Sequence, residues 1–405
     1  MRANYRTLSD AFGGAALPLV DYCVKTNYEH GLLCLLRELG TGAMVSCDWE
    51  LRLALEAGFP PERITFHGPC KSAQEIDAAV AASVGLIHVY SAAELDLLDG
   101  VAAAHGRRVD VSLRLAIPGP WPTRWLSGWY ANRLGVPPAE AIPLLRRIAS
   151  SPSLRLRGLS VHVGTHVTRP APYLRAIGAL IRLAKAAEVA GLPLQEIDLG
   201  GGWPSDTLQP LSLGLGFRLV CGRERPPARP LLAPLAQTVA QAFRSAAGRA
   251  HLSTPPTVRL EPGRGLVGSA GLLVTRVVAR RGRWLFVDAS RNLLPESWLV
   301  GRRAVRPVAR RDEQGRRYHL SGKTMNTADI MALAVSLPTV EVGDVLAFLD
   351  AGAYALSRAN RYAGTIPAAY LLDDSGEPRQ IRKQDTYEDI IAAMVDVGQR
   401  PALLA

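Results

Sequence analysis

Short apolar segments alternate with longer amphipathic segments up to about residue 265 of this chain of 405 residues. The apolar segments are rich in Val, Ile and Leu, which is typical of strands buried on both faces of a parallel sheet. In chain order they are LVDYCV, GAMVS, RITFHG, GLIHVYS, VDVSLRLAI, GLSVHVG, LQEIDLGGG and TVRLEPG. Eight such units in sequence predict an α/β fold, a (β/α)₈ barrel that closes near residue 265.

The pattern changes after residue 265. Segments such as LLVTRVVARR, RWLFVDA, RYHLSG and AAYLLDD follow one another without long amphipathic segments between them. This spacing predicts strands joined by short connections. We therefore expect two domains, a barrel over residues 1–265 and an all-β domain over residues 266–405, which agrees with the length of the chain.

The formal charge of +11 comes from arginines spread along the chain, with one dense run over residues 301–317. Such a run can bind nucleic acid, but it is more often a solvated loop, and we interpret it as a loop with no nucleic-acid partner. The chain contains no apolar run of about 18 residues and does not open on a signal peptide, which predicts a cytoplasmic protein with no membrane partner.

The cysteines are odd in number and lack CxxC spacing, so we interpret them as reduced, buried thiols and predict no metal site. They are Cys23, Cys34, Cys47, Cys70 and Cys221.

Lysine is rare in this chain, with 5 lysines against 42 arginines. Lys25 directly follows the first apolar segment, at the end of a barrel strand where active sites are built. A lysine amine becomes a nucleophile once it loses its proton, whereas a guanidinium stays charged. A single lysine at a strand end is usually a solvated charge, so the other strand ends decide how Lys25 is interpreted.

The other strand ends carry an aromatic ring, three consecutive glycines, an acid and an arginine. These residues are His162, Gly200, Gly201, Gly202, Glu261 and Arg264. Alone, a glycine triplet is often a plain turn and a histidine a core residue. Together with a lysine, they supply a covalent anchor, a stacking ring, a partner for a ring nitrogen and open backbone amides for a phosphate. This combination predicts pyridoxal 5′-phosphate as the cofactor.

The order of the motifs resembles the fold-type III pyridoxal-phosphate decarboxylases, the family of the diaminopimelate, ornithine and arginine decarboxylases. The resemblance rests on YCVKTN, LSVHVGTH, IDLGGG, LEPGRG, LDAGAYA and IRKQDTYEDII and extends over nearly the whole chain. It implies an alanine racemase-like barrel, a homodimer with shared active sites, and decarboxylation of a small amino-acid substrate. The first residues, MRANYRTLSDAF, resemble the helix after the family's first strand, so we expect either a start codon placed too late or an altered domain edge.

The resemblance also implies a role for each matching residue. Lys25 would carry the cofactor covalently, His162 would stack on its ring, and Glu261 would hold its pyridine nitrogen protonated. These three are the predicted catalytic residues. The residues implied in binding the phosphate group are Thr165, Gly200, Gly201, Gly202, Gly263, Arg264 and Tyr354.

The segment GKTMNTAD, residues 322–329, departs from the family on the substrate side. Asp329 matches the family pattern, but the cysteine that returns a proton to the substrate falls at Met325, and a thioether has no proton to give. Asn326 replaces a glutamate beside it, and Lys323 is a further candidate for contact with the substrate. Leu294 stands where the diaminopimelate enzymes have an arginine for the distal carboxylate, so we do not expect diaminopimelate as the substrate.

Three functions stay open. The preferred one is decarboxylation of another amino acid, in specialised metabolism, with Lys25, Lys323, His319 or water as the replacement proton donor. The second is racemisation, epimerisation or other chemistry at Cα without decarboxylation. The third is a paralogue that binds pyridoxal phosphate without catalysis.

Overall fold

The computed structural model describes residues 1–14, 17–117, 132–210, 231–296, 300–309, 315–373 and 375–394. Cys221 and residues 310–314 of the arginine run lie outside the described residues.

Eight parallel strands form a closed barrel. They are β1 (Leu19–Cys23), β2 (Gly42–Val45), β3 (Ile64–Phe66), β4 (Leu86–Val89), β5 (Val109–Arg114), β6 (Leu154–Ser160), β7 (Glu196–Asp198) and, after a short strand β8 (Leu208–Pro210), β9 (Thr257–Leu260). The barrel closes where β9 pairs with β1, with Val20 opposite Leu260. Each barrel strand overlaps one of the predicted apolar segments, and the predicted fold is confirmed. Strand β6 begins before its predicted apolar segment. The sequence did not indicate this earlier start, because Arg155 and Arg157 interrupt the apolar pattern there.

Helices follow the strands and pack around the barrel. The described helices are α1 (Arg2–Phe12), α2 (His30–Glu38), α3 (Asp48–Glu56), α4 (Ala73–Ala81), α5 (Ala92–Ala104), α6 (Ala141–Ser150), α7 (Ala171–Val189), α8 (Leu232–Ala250), α9 (Arg264–Val267) and α10 (Tyr387–Ile391). The start of α4 has a capping box, in which the side chains of Ser72 and Glu75 each accept the other's backbone N–H. Helix α1 packs against α8, and Phe12 meets Trp203 edge to face at 5.7 Å.

The C-terminal part of the chain forms a six-stranded sheet with its own apolar core around Val277, Leu285, Leu320 and Phe348. Its strands, in spatial order, are β13 (Val305–Pro307), β16 (Val345–Phe348), β10 (Leu273–Arg281), β11 (Trp284–Val287), β14 (Arg316–Ser321) and β15 (Ile330–Leu337). Strand β12 (Gly301–Arg303) pairs with β8, and β17 (Ala369–Leu372) pairs with β18 (Pro378–Arg382). The pairing of β12 with β8 joins this part of the chain to the loop that follows β7.

Two details differ from the sequence-based expectations. The start of the arginine run is not a solvated loop, because β12 and β13 occupy it and the buried Arg303 donates from Nε to the Asp350 carbonyl at 3.0 Å. Among the four described cysteines, all free thiols, Cys23 is buried but Cys70 is exposed, so the prediction of buried thiols is wrong for Cys70. No helix in the described ranges has the length and apolar character needed to cross a membrane.

Candidate active site

Lys25 lies in a single 3₁₀ turn, Val24–Thr26, directly after β1, and its side chain is exposed at the end of the barrel. The turn is held from the C-terminal part of the chain, where the Tyr354 N–H and the Ser357 hydroxyl both donate to the Thr26 carbonyl at 2.8 and 2.9 Å. Burial lowers the pKa of His162, and the charges of Arg114 and Lys25 lower it further. The backbone at Lys25 is therefore fixed while its amine stays accessible.

His162 follows β6, and its ring lies against the glycine triplet. A Cβ atom at Gly201 would come within 3.2 Å of His162 Cε1. Although the ring is exposed at the barrel mouth, desolvation by the surrounding protein and the nearby charge of Arg114 lower the pKa of His162 to about 4. The imidazole is therefore neutral at neutral pH, and it offers a flat face to a ligand.

The glycine triplet is required by the close approach of two backbone segments. A Cβ at Gly200 would lie 2.1 Å from the Val161 carbonyl oxygen, and one at Gly202 would lie 2.6 Å from the Gly164 carbonyl oxygen. Both glycines also have positive φ angles, +68° and +97°. The loop after β7 thus packs on the loop after β6, where the exposed Thr165 lies next to Gly164.

Glu261 follows β9 and is only 1% exposed. Its N–H donates to the Gly200 carbonyl at 3.1 Å, and its carbonyl accepts from Cys23 Sγ at 3.2 Å. Its carboxylate oxygen Oε1 lies 2.5 Å from Nε2 of His67. Glu261 therefore joins the end of β1, the glycine triplet and a buried histidine.

Arg264 begins α9 and is 4% exposed. It forms an ion pair with Glu296, lies 3.6 Å from Asp350, and stacks over the Tyr354 ring at 5.2 Å from the ring centroid. Its Nε and Nη1 form no hydrogen bond among the described residues, although Nη1 is the atom that lies 3.6 Å from Asp350 Oδ1. Buried guanidinium donors that form no hydrogen bond match what an anion such as phosphate requires.

Gly263 and Tyr354 bring this arginine to the Lys25 turn. A Cβ at Gly263 would lie 2.1 Å from Thr26 Oγ1, so the two loops can meet only with glycine at this position. Tyr354 has φ +53°, and burial raises the pKa of its hydroxyl, so the phenol stays protonated. One chain therefore brings together all the predicted cofactor-side residues.

The predicted substrate-side residues lie elsewhere, in the loop between β14 and β15. Met325 is 98% exposed, and the exposed Asn326 accepts the Ala328 N–H through Oδ1 at 2.9 Å. The carboxylate of the buried Asp329 accepts from the Arg291 N–H at 2.8 Å and from the Thr324 hydroxyl at 2.6 Å. These hydrogen bonds tie the loop to its own domain.

Lys323 belongs to the same loop. Its side chain is exposed and lines a cavity of about 270 Å³ together with Asp288, Tyr362 and Gln384. Its backbone N–H donates to the Ala289 carbonyl at 3.0 Å. Lys323 thus faces a cavity built by the C-terminal part of the chain.

The sequence analysis missed the buried partners of the cofactor-side residues. His67 and His88 stack below Glu261 with ring centroids 3.6 Å apart, and Asp198 lies beside both. Glu296 and Asp350 hold Arg264. The available signal was a histidine at two successive strand ends, in RITFHG and GLIHVYS.

Residues 1–268 match the family profile described as pyridoxal-dependent decarboxylase, pyridoxal binding domain. The chain belongs to this family. Its cofactor is pyridoxal 5′-phosphate and its class is that of the pyridoxal-phosphate-dependent carboxy-lyases, so the predicted family, cofactor and enzyme class are confirmed.

Similar proteins and structures span almost the whole chain. The diaminopimelate decarboxylase of Pseudomonas aeruginosa is 32% identical over 407 residues, which cover 97% of this chain and 90% of that protein. The diaminopimelate decarboxylase of Zymomonas mobilis is 28% identical over 389 residues, which cover 93% of this chain and 86% of that protein. The structure of diaminopimelate decarboxylase from M. jannaschii in co-complex with L-lysine superimposes with a TM-score of 0.84, at 25% identity, over 98% of this chain and 90% of that chain.

Proposed function

We propose that this decarboxylase acts on an amino acid other than diaminopimelate, with Lys25, His162 and Glu261 as catalytic residues. The barrel, residues 1–265, would hold the cofactor, and residues 266–405 would supply the substrate-side loop. The observation that carries the proposal is the contrast between a cofactor side built from matching, mutually packed residues and a loop in which Met325 stands at the position of the proton-donating cysteine.

The residues at the barrel mouth fit pyridoxal phosphate. The unpartnered Nε and Nη1 of Arg264 suit its phosphate group, together with Tyr354, Thr165, the loop of Gly200, Gly201 and Gly202, and Gly263. The accessible amine of Lys25 suits its aldehyde, and the neutral ring of His162 suits its planar ring. Bound pyridoxal phosphate supplies an electron sink for the electrons that remain at Cα when CO₂ leaves.

The chain itself must hold and move protons. Glu261 would keep a proton on the ring nitrogen of the cofactor, and its burial, which shields it from water, supports this role. Cα must gain a proton after CO₂ leaves, and Met325 has none to give. Among the replacement donors, His319 is engaged in the sheet, where its Nδ1 accepts the Ala334 N–H at 3.3 Å. The remaining candidates are Lys25, Lys323 and water.

The named relatives and the residues of this chain point to different substrates. The relatives are named diaminopimelate decarboxylases. Leu294, at the position of the arginine for the distal carboxylate, is 1% exposed and belongs to the core of the C-terminal sheet, so it offers neither charge nor access. We therefore infer a substrate that, unlike diaminopimelate, has no second amino group and carboxylate at its distal end.

We further propose a homodimer in which the loop of residues 322–329 reaches the barrel of the other copy. The support is the 98% exposure of Met325 and the hydrogen bonds that tie this loop to its own domain. Light scattering should give a mass near twice 43.6 kDa. A monomeric holoenzyme with full turnover would contradict shared active sites.

The proposed reaction is tested by mass spectrometry of products after the holoenzyme is incubated in D₂O with single amino acids, diaminopimelate included. We expect loss of CO₂ and gain of one deuterium at Cα for a substrate other than diaminopimelate. Deuterium at Cα with the carboxylate kept would instead show racemisation. Turnover of diaminopimelate above all others would overturn the substrate assignment, and no reaction with any compound would favour a non-catalytic paralogue. Lys25→Arg, incubated in parallel, controls for reaction outside the site.

A further inference from the structure

A buried polar cluster lies directly beneath the candidate active site. It consists of four residues. His67 follows β3, His88 lies in β4, Asp198 ends β7 and Glu261 follows β9. All four residues are buried, and one polar atom of each lies within 4.8 Å of the others. These atoms, the two Nε2 nitrogens with Asp198 Oδ2 and Glu261 Oε1, have no hydrogen bond of regular geometry among the described residues. Four buried polar atoms that converge without such partners need an explanation.

The geometry favours shared protons over a metal ion. The two imidazole rings are stacked with an interplanar angle of only 22°, so the Nε2 lone pairs lie in two separate, nearly parallel planes, which suits a shared metal ion poorly. His67 Nε2 and Glu261 Oε1 are 2.5 Å apart. A nitrogen and an oxygen this close repel each other unless one of them carries a proton for the other.

Tyr90 contacts the other nitrogen of His67. Its hydroxyl oxygen lies 2.9 Å from His67 Nδ1. Burial raises the pKa of Tyr90 to about 12, so the phenol keeps its proton and can donate it to Nδ1. In that arrangement the ring proton of His67 lies on Nε2, which faces Glu261.

His67 carries only that one ring proton. Burial lowers its pKa well below the usual value, and the positive charges of Arg114, Lys71, Lys25 and Arg259 lower it further. Burial likewise lowers the pKa of His88, the ring stacked on it. The pair is therefore neutral, and His67 acts as a single N–H donor.

The two carboxyl groups lie close enough for each to affect the protonation of the other. Burial raises the pKa of Asp198 well above its usual value, and the charge of Glu261 raises it further. Asp198 Oδ1 accepts from the Gly200 N–H at 2.7 Å, while Oδ2 lies 4.0 Å from His67 Nε2 and 3.8 Å from His88 Nε2. Two buried carboxyl groups beside each other hold one proton between them, and the one with the better donor stays ionised.

We propose that His67 is a positioning residue whose Nε2–H keeps Glu261 ionised, while Asp198 holds the proton that the two carboxyl groups share. An ionised Glu261 can pair with a protonated pyridine nitrogen, whereas a protonated Glu261 cannot. The inference deepens the proposed function, since it rests on Glu261 facing that nitrogen. The loss of a hydrogen bond to a charged group costs about 1.5–3 kcal/mol, or roughly a 10- to 100-fold change in an equilibrium constant.

The test is the nitrogen-15 NMR shift of ¹⁵N-labelled pyridoxal phosphate bound to the holoenzyme. We expect the shift of a protonated pyridine nitrogen in the wild type. His67→Phe, which keeps a stacked ring but removes the donor, should move the shift toward the unprotonated value and lower kcat about tenfold or more, with KM little changed. His105→Phe, at an exposed histidine near the end of α5, is the matched control and should leave the shift unchanged.

Tyr90→Phe is the second variant, because it removes a single oxygen and keeps His67. In this variant the nitrogen-15 shift should change in the same direction, but by less. If His67→Phe does not fold or does not bind the cofactor, the shift in Tyr90→Phe tests the role of His67. A protonated nitrogen in wild type and in both variants would overturn the inference while leaving the proposed function intact. An unprotonated nitrogen already in the wild type would overturn the role of Glu261 itself. Stoichiometric binding of Zn²⁺ by wild-type apoenzyme, lost in His67→Phe, would make the cluster a metal site and also overturn the inference.

Discussion

The mouth of the barrel and the loop of residues 322–329 differ in almost every physical respect. At the barrel mouth, Glu261 and Arg264 are buried and each contacts residues from distant parts of the chain. In the loop, Met325 extends into solvent, and the hydrogen bonds of Asp329 stay within the C-terminal part of the chain. The cofactor side depends on many mutual contacts, so one substitution disturbs several residues, whereas the loop can change its chemistry one residue at a time.

This difference fits a chain whose barrel mouth matches the family's motifs while its loop carries methionine at position 325. Replacing the buried partner of a charged group leaves a charge unpaired, which costs several kcal/mol. Replacing an exposed side chain usually changes stability by about 0.5 kcal/mol or less. The substrate side is therefore free to diverge while the cofactor side is held.

The largest effect is expected at the barrel mouth, from Lys25→Arg, which keeps the positive charge and removes the nucleophile. We expect turnover to fall about 10³-fold or more and the cofactor to be no longer attached covalently. Borohydride reduction followed by mass spectrometry of the intact protein measures the attachment. Lys383→Arg, at an exposed lysine paired with Asp389, is the control. Attachment that survives in Lys25→Arg would place the cofactor lysine elsewhere.

The loop is tested by Met325→Cys, which places a proton donor at the position proposed to match the family's cysteine. If protonation at Cα limits the rate, kcat should rise about tenfold or more, and products protonated at the wrong atom should decrease. Met394→Cys places a thiol on another exposed methionine and should change neither quantity. Equal rates for Met325→Cys and wild type would mean that residue 325 does not reach the substrate.

The smallest expected effect concerns stability in acid. Burial, helped by the charge of Arg264, lowers the pKa of His166 to about 4 in the folded protein, against about 6.5 in an unfolded chain. As the pH falls below about 6.5 the unfolded chain binds a proton that the folded protein refuses, so stability is lost progressively down to about pH 4. The loss attributable to His166 is at most about 3 kcal/mol.

His166→Asn should flatten this pH dependence by about 1–3 kcal/mol, as measured by denaturant unfolding of the holoenzyme at several pH values. Asparagine tolerates the φ of +47° at this position and does not titrate, although its shorter amide does not replace the contact of Nε2 with the Leu208 carbonyl. An unchanged slope would show that His166 becomes protonated in the folded state at little cost.

Most of the fold could be predicted because most barrel strands are buried on both faces and so appear as short apolar runs, with β6 as an exception at its first residues. The roles of Lys25, Glu261 and Arg264 stay predictions, which rest on their positions at strand ends within recognisable motifs. His67 and His88 could not be assigned, since 21 residues separate them and only the pairing of β3 with β4 brings their rings into contact. The burial of Arg303 in the arginine run could not be predicted either. Its hydrogen-bond acceptor is the carbonyl of Asp350, which follows β16 and is distant in the sequence.

The sequence by itself determined the order of the strands, the lysine and glycines at their ends, and the absence of a cysteine at position 325. These are local features, readable from apolar periodicity and from the chemistry of single side chains. Only the tertiary structure decided that Glu261 meets His67, that Nε and Nη1 of Arg264 form no hydrogen bond among the described residues, and that Met325 is exposed. Protonation and access depend on burial and on neighbours far away in the chain, and the closing of the barrel creates both.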